Sequence, residues 1–244
     1  MLQQIDINAD IGEGMPFDND IMKFISSCNI ACGGHAGDDQ SIQDTIVLAK
    51  SNKVKIGAHP SYPDKDNFGR RSIDISIDEL VQCIDEQLEN FKSICHKVNA
   101  KWHHIKFHGA LYNDLKKDDE KSRALVNLIS EKYKNVILYV PPNSVIQKRA
   151  EKSLEIKVEG FADRAYSEDL SLVSRNLPNA VLTNTNNVLQ HVHHLVLQEK
   201  AVTIDGKEVP LKIGTLCLHG DTPTALKLVK SIVQYLEQQK IRIE

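Results

Sequence analysis

The most restrictive feature of this sequence is an alternation maintained along its length. Short apolar runs, each closing on polar or ionisable residues, take turns with longer stretches of helical spacing. The runs fall at 4–9, 28–33, 54–59, 104–108, 136–140, 156–161, 180–183 and 213–219. Helical segments are expected at 41–51, 76–98, 118–134, 144–154, 186–199 and 223–239. The clearest is 76–98, where Ser76 and Glu79 form a capping box and Ile77, Leu80, Val81, Ile84, Leu88 and Phe91 recur near a 3.6 period. Pro223, after Asp221 and Thr222, marks the start of the last helix. Strand–helix alternation of this kind needs a parallel sheet covered by helices. Eight runs in 244 residues favour a closed, TIM-like (β/α) barrel over an open doubly wound sheet. No GxGxxG follows the first run to suggest a dinucleotide site.

The length suits one barrel domain over 1–244, with no linker or low-complexity stretch to divide it. A formal charge of −3, with basic and acidic residues interspersed, gives no reason to expect nucleic acid or an anionic membrane as partner. Five cysteines stand at Cys28, Cys32, Cys83, Cys95 and Cys217. Cys28 and Cys32, read on one strand, would lie about 13 Å apart, too far for a disulfide or a shared zinc. That usage suits a reducing compartment. With no apolar leader at the N-terminus and no run of membrane-spanning length, the expectation is a cytoplasmic protein.

Chemistry collects where the runs end. In the first, Asp6, Asn8 and Asp10 alternate with Ile5, Ile7 and Ala9, so three polar side chains share one face, and Glu13 follows in the next turn. In a barrel that face points inward, where an aspartate is costly unless paired, hydrogen-bonded or bound to a ligand. The third run ends in Gly57-Ala58-His59-Pro60, followed by Asp64 and Arg70-Arg71. The fourth carries Lys106 and His108 on one face, and a buried ammonium demands an anion, either Asp10 or a ligand carboxylate or phosphate. Segment 156–164 brings Glu159, Asp163 and Arg164, and the last run brings Cys217, His219 and Asp221. One histidine at one strand end is usually packing. Many strands ending the same way is a functional signature, because barrel topology gathers those ends at one rim.

Other features carry less. Gly33-Gly34-His35-Ala36-Gly37-Asp38 is a glycine-rich turn before a helix, whose N–H groups could cradle an anion. His191, His193 and His194 sit on an outer helix and read as solvent-facing, and His103-His104 reads as a loop at the opposite, stabilising face.

Several long segments taken together resemble the LamB/YcsF family. They are 5–13 (Ile5-Asp6-Ile7-Asn8-Ala9-Asp10-Ile11-Gly12-Glu13), 29–38, 57–64, 68–71, 106–113 (Lys106-Phe107-His108-Gly109-Ala110-Leu111-Tyr112-Asn113), 159–166, 172–175 and 217–221 (Cys217-Leu218-His219-Gly220-Asp221), in order along nearly the whole chain. The resemblance implies a barrel of the glycoside hydrolase/deacetylase type, with seven or eight strands; in the seven-strand form 180–183 is the segment that drops out. It also implies the A subunit of an ATP-dependent 5-oxoprolinase. Such a chain works with subunits B and C, with ATP and presumed Mg2+, to open 5-oxo-L-proline to L-glutamate. Phe107, Gly160 and Asn179 stand where the family has proline, a larger apolar residue and glycine; none of these departures removes an ionisable group.

On this reading Asp10, Glu13, His59, Lys106, His108 and His219 are the catalytic candidates. Asn8, His35, Asp38, Arg70, Arg71, Tyr112, Glu159, Asp163, Arg164 and Asp221 are the substrate-binding candidates. No metal is assigned, and self-association into a homo-oligomer is compatible with the sequence. There is no P-loop GxxxxGK[ST], so nucleotide binding rests on the resemblance. Two other functions fit the same residues. Asp10, His59 and His108 could hold the metal of a deacetylase-type carbohydrate hydrolase. The charged rim could also belong to a non-catalytic partner that shapes the site of another chain.

Overall fold

The computed structural model describes residues 4–244. Residues 1–3, part of the stretch read above for a leader, lie outside the described residues. Strands β1 (Gln4–Ile11), β2 (Ser27–Ala31), β3 (Lys55–His59), β4 (Trp102–Lys106), β5 (Ile137–Val140) and β6 (Ile156–Phe161) follow one another in space as they do in sequence. A small antiparallel hairpin, β7 (Lys200–Val202) and β8 (Glu208–Pro210), precedes β9 (Thr215–Cys217). Strand β9 pairs in parallel with both β6 and β1 and closes the ring. Among the described residues the barrel therefore has seven parallel strands. A short strand, β10 (Arg242–Ile243), adds to the start of β1.

The eighth expected strand does not form. Within 180–183 only Val181 makes a bridge, to Arg164. Of its apolar residues, Ala180 joins Ala165 and Val173 in a small core within the long excursion between β6 and β9, while Leu182 packs against the main core. Asn179 takes a left-handed φ of 61°, a conformation that asparagine tolerates better than most residues other than glycine.

The helices are α1 (Asp18–Ile21), α2 (Asp39–Ser51), α3 (Ile77–Lys97), α4 (Gly109–Asp114), α5 (Asp119–Lys132), α6 (Val145–Ala150), α7 (Thr185–Val192) and α8 (Ala225–Gln238). Both halves of the α3 capping box form, between Ser76 and Glu79. Helix α7 runs on into a π-helical turn, His193–Leu197. Pro223 sits just outside α8, whose N-cap position is Thr224 without a side-chain capping hydrogen bond. Outward-facing strand residues such as Ile5, Ile7, Ala9 and Ile11 are buried against this helical layer, and so are Leu228, Val229, Ile232 and Leu236 of α8. Each such isoleucine, leucine or valine contributes on the order of 2 kcal/mol by leaving water. The apolar core thus lies between strands and helices, and the inside of the barrel is left to polar groups. No helix is long and apolar enough to cross a membrane among the described residues. All five cysteines are free.

Candidate active site

Two polar layers fill the barrel. The lower one centres on Asp6. Its carboxylate accepts hydrogen bonds from Ser26 (2.8 Å), Ser27 (2.8 Å), Tyr139 (3.0 Å) and Thr215 (2.6 Å). Above it Asn29 donates to Asn8 (2.7 Å) and Asp10 (2.8 Å), and accepts from Nε2 of His104 (2.8 Å). Asn8 in turn donates to Glu159 (2.9 Å) and Thr215 (2.7 Å). His104 is not in a loop, as expected from sequence, but within β4. It is fully buried, lies flat on Tyr139 at 4.1 Å, and occupies the space a side chain at Gly57 would need: a Cβ there would come within 2.1 Å of Nε2.

The upper layer gathers the strand ends. The ammonium of Lys106 lies 2.9 Å from Asp10, 3.0 Å from Glu159 and 3.0 Å from Sγ of Cys217. Burial alone would push this ammonium down. Asp10, Cys217 and Glu159 together outweigh it and hold Lys106 well above its usual range, hence charged. Asp10 shows the converse: burial favours the neutral acid, but His59 and Lys106 hold it well below the usual carboxylate range. Tyr112, on α4, is buried with its hydroxyl unpartnered among the described residues, and so is Oε2 of Glu159. Burial, with the Glu159 carboxylate adding to it, lifts the phenol well above its ordinary range.

Three further acceptors face each other beside Asp10. Nε2 of His59 lies 3.4 Å from Asp10, 3.9 Å from Glu13 and 3.0 Å from Nδ1 of His108, and that Nδ1 lies 3.3 Å from Glu13. His35, delivered by the glycine-rich turn, is 3.0 Å from Glu13 through Nε2 and stacks on His108 at 3.6 Å. The turn itself folds closed, Gly33 N–H donating to the Ala36 carbonyl. Asp10, Glu13, His59 and His108 could hold a metal ion; Asp10, Cys217 and His219 form a second such group, already crossed by Lys106.

His219 and Asp163 form a dyad. Nδ1 of His219 is 3.0 Å from both carboxylate oxygens, leaving Nε2 as the nitrogen available to a ligand. Burial opposes ionisation of Asp163, but His219 and Arg175 beside it bring its carboxyl below the usual range. At the mouth Asp221 accepts from Arg70 (2.7 Å) and Arg175 (2.8 Å), so one carboxylate ties two loops together. Arg164 reaches sideways to the carbonyls of Val173 and Ala180, and burial brings its guanidinium down to about 10.

These residues border one cavity of about 990 Å3, floored by Asp10, Lys106 and His59 and rimmed by Arg70, Arg71, Lys117 and Arg175. Of the expected set, Glu13, Tyr112, His108, Arg164, His219 and Asp221 also line it. Asn8, His35, Glu159 and Asp163 stand behind the lining and hold it in place. Asp38 is brought elsewhere. It is exposed, and its carboxylate caps α2 by accepting from Ser41 N–H at 2.8 Å. The expected ligand contact gives way to a helix cap because the turn closes on itself and aims only His35 inward. His191 also departs from expectation: it is buried, 3.1 Å from the Phe161 carbonyl, rather than facing solvent.

Sequence reading missed Arg175, Lys116 and Asn29. Arg175 lies in an irregular loop with no period to read. The buried Lys116, whose ammonium donates to the Pro142 carbonyl at 2.7 Å, sits between two helices. Asn29 was findable, since it alternates with apolar Cys28 and Ile30 on β2.

The model of the LamB/YcsF family matches residues 5–244. A relative from Haemophilus influenzae (strain PittEE), named as the A subunit of 5-oxoprolinase, is 41% identical over 99% of each chain. The crystal structure of the lactam utilization protein from Thermus thermophilus superposes with a TM-score of 0.91 at 31% identity, covering 99% of each chain. A T48 deacetylase with substrate shares the fold alone, with a TM-score of 0.50 at 11% identity over all of this chain and 88% of that one. The barrel shares its fold with that deacetylase, and the chain is a member of the LamB/YcsF family.

Proposed function

We propose that this chain is the A subunit of an ATP-dependent 5-oxoprolinase, opening 5-oxo-L-proline to L-glutamate together with subunits B and C. What carries the reading is the 41% identity to a 5-oxoprolinase A subunit over 99% of both chains. The geometry supports it. A five-membered lactam is a resonance-stabilised amide, so its hydrolysis needs charge stabilisation at the carbonyl oxygen and proton transfer at the ring nitrogen. Lys106, charged and dry, stabilises negative charge on the carbonyl oxygen. His219, oriented by Asp163, handles the proton at the ring nitrogen through Nε2. Glu13 orients the attacking water, and the arginines of the mouth anchor the substrate carboxylate.

A cavity near 990 Å3 is at the upper end of the usual range for small-ligand sites, larger than a lactam alone fills. Arg70, Arg71, Lys117 and Arg175 fit a polyphosphate in charge. ATP with Mg2+, when bound, supplies the phosphoryl group that makes the amide carbon electrophilic. Copurification of this chain with its candidate partner subunits, followed by assay of ADP and glutamate, tests the reading. Turnover of 5-oxoproline only with ATP and all three chains is expected. No turnover by the assembled complex, or turnover by this chain alone without ATP, overturns it.

A further inference from the structure

We propose that Asp10, Glu13, His59 and His108 form a binding site for one divalent metal ion of the zinc kind, held at the inner end of the cavity. The argument starts from where the hydrogens must be. Nδ1 of His59 lies 2.7 Å from the Lys106 carbonyl, and a carbonyl only accepts, so Nδ1 carries the proton and Nε2 a lone pair. Nε2 of His108 lies 2.9 Å from the Phe68 carbonyl, so there Nε2 carries the proton and Nδ1 the lone pair. The two lone-pair nitrogens then meet at 3.0 Å with no hydrogen between neutral rings.

Two carboxylates complete the convergence. Glu13 approaches Nδ1 of His108 at 3.3 Å and Nε2 of His59 at 3.9 Å, and Asp10 approaches Nε2 of His59 at 3.4 Å. Four acceptors thus repel one another unless a cation lies among them. Lys106 serves Asp10 and Glu159 rather than the imidazoles.

The spacing fits the ion. Nitrogen and oxygen ligands about 2.1 Å from a tetrahedral zinc stand roughly 3.4 Å from each other, and the contacts above run from 3.0 to 3.9 Å. Outer partners match as well. Metal-bound histidines donate their other N–H to a carbonyl or carboxylate, and here the Lys106 and Phe68 carbonyls accept. His35 donates to Glu13 and lies flat on His108, fixing both. Two imidazoles with two carboxylates suit zinc, iron(II) or manganese better than magnesium, which prefers oxygen alone. An ion there would border the same cavity as Lys106 and His219, where it could polarise a carbonyl or activate a water.

The site stands on geometry alone and does not depend on the lactam reading. Chelator-treated full-length chain, titrated calorimetrically with Zn2+ alone, is expected to bind one equivalent. Co2+ alone should produce a visible tetrahedral absorption band. His59→Ala should weaken Zn2+ binding at least a hundredfold, and Glu13→Gln at least tenfold with the metal-free chain still folded; the variant His194→Asn, at a half-buried histidine outside this cluster, should bind as wild type. Absence of stoichiometric binding overturns the site, as does binding that His59→Ala and Glu13→Gln leave unchanged. An imidazolium shared by His59 and His108 at neutral pH, seen by NMR in a chain that takes up no ion, would show that a proton fills the gap instead. None of these outcomes alters the expected turnover test with ATP and partner subunits, so the two proposals fail separately.

Discussion

The two polar layers inside the barrel are built from the same residue types and differ in completeness. Around Asp6 every oxygen is met by a hydroxyl, and the histidine of that layer, His104, is sealed under Tyr139 with its Nε2 satisfied by Asn29. Around Asp10 and Lys106, acceptors face acceptors, Tyr112 and Glu159 keep unpartnered oxygens, and a cavity opens above. Buried polar groups satisfied from within hold a structure together; those left incomplete wait for a ligand to complete them. Burial alone does not separate the layers, since Asp6 and Asp10 are 3% and 5% exposed. Satisfaction does.

Substitutions can break that comparison. The largest effect should come from Lys106→Met, which removes the one fixed cation of the upper layer: turnover of 5-oxoproline by the three-subunit mixture is expected to fall about a thousandfold or more. Undiminished ADP and glutamate production would take lysine out of the chemistry. Asp6→Ala should do the opposite. It strands several buried donors, so urea denaturation should show a loss of about 3–5 kcal/mol, while the folded fraction keeps its cavity chemistry. A stable Asp6→Ala protein with no activity would erase the distinction between the layers.

His219→Asn should lower turnover about a hundredfold and shift the urea midpoint only slightly, because the ring sits at the cavity wall. A smaller effect tests burial outside both layers. Burial lowers His191 to about 4, so the folded chain binds fewer protons there than the unfolded one. Stability should therefore fall as pH drops from about 6.5 towards 4, by up to about 1.4 kcal/mol per pH unit for this residue. His191→Phe should flatten that slope in denaturation curves measured between pH 7 and 4. An unchanged slope would mean that His191 is not held neutral in the folded chain.

Much of this was legible in the chain. Period-two alternation on β1 placed Asp6, Asn8 and Asp10 on one face, and the same rule put Lys106 inside. The reason is local: a strand turns successive side chains to opposite sides whatever surrounds it. The resemblance to the family likewise named the seven-strand option and the segment that would be lost.

Other features were decided only by packing. Nothing near 180–183 tells that Ala180 serves a small side core and Leu182 the main core instead of a barrel strand. Asp38 and His35 sit three apart in one turn, yet one caps a helix and the other backs Glu13. Arg70 and Arg175 share Asp221 although the three residues come from separate loops. Sequence by itself determined which side chains each strand would send inward, because that depends on backbone geometry one residue at a time. Only the closed barrel decided which of them find partners and which are left facing each other, because hydrogen-bond satisfaction depends on groups a hundred or more residues away.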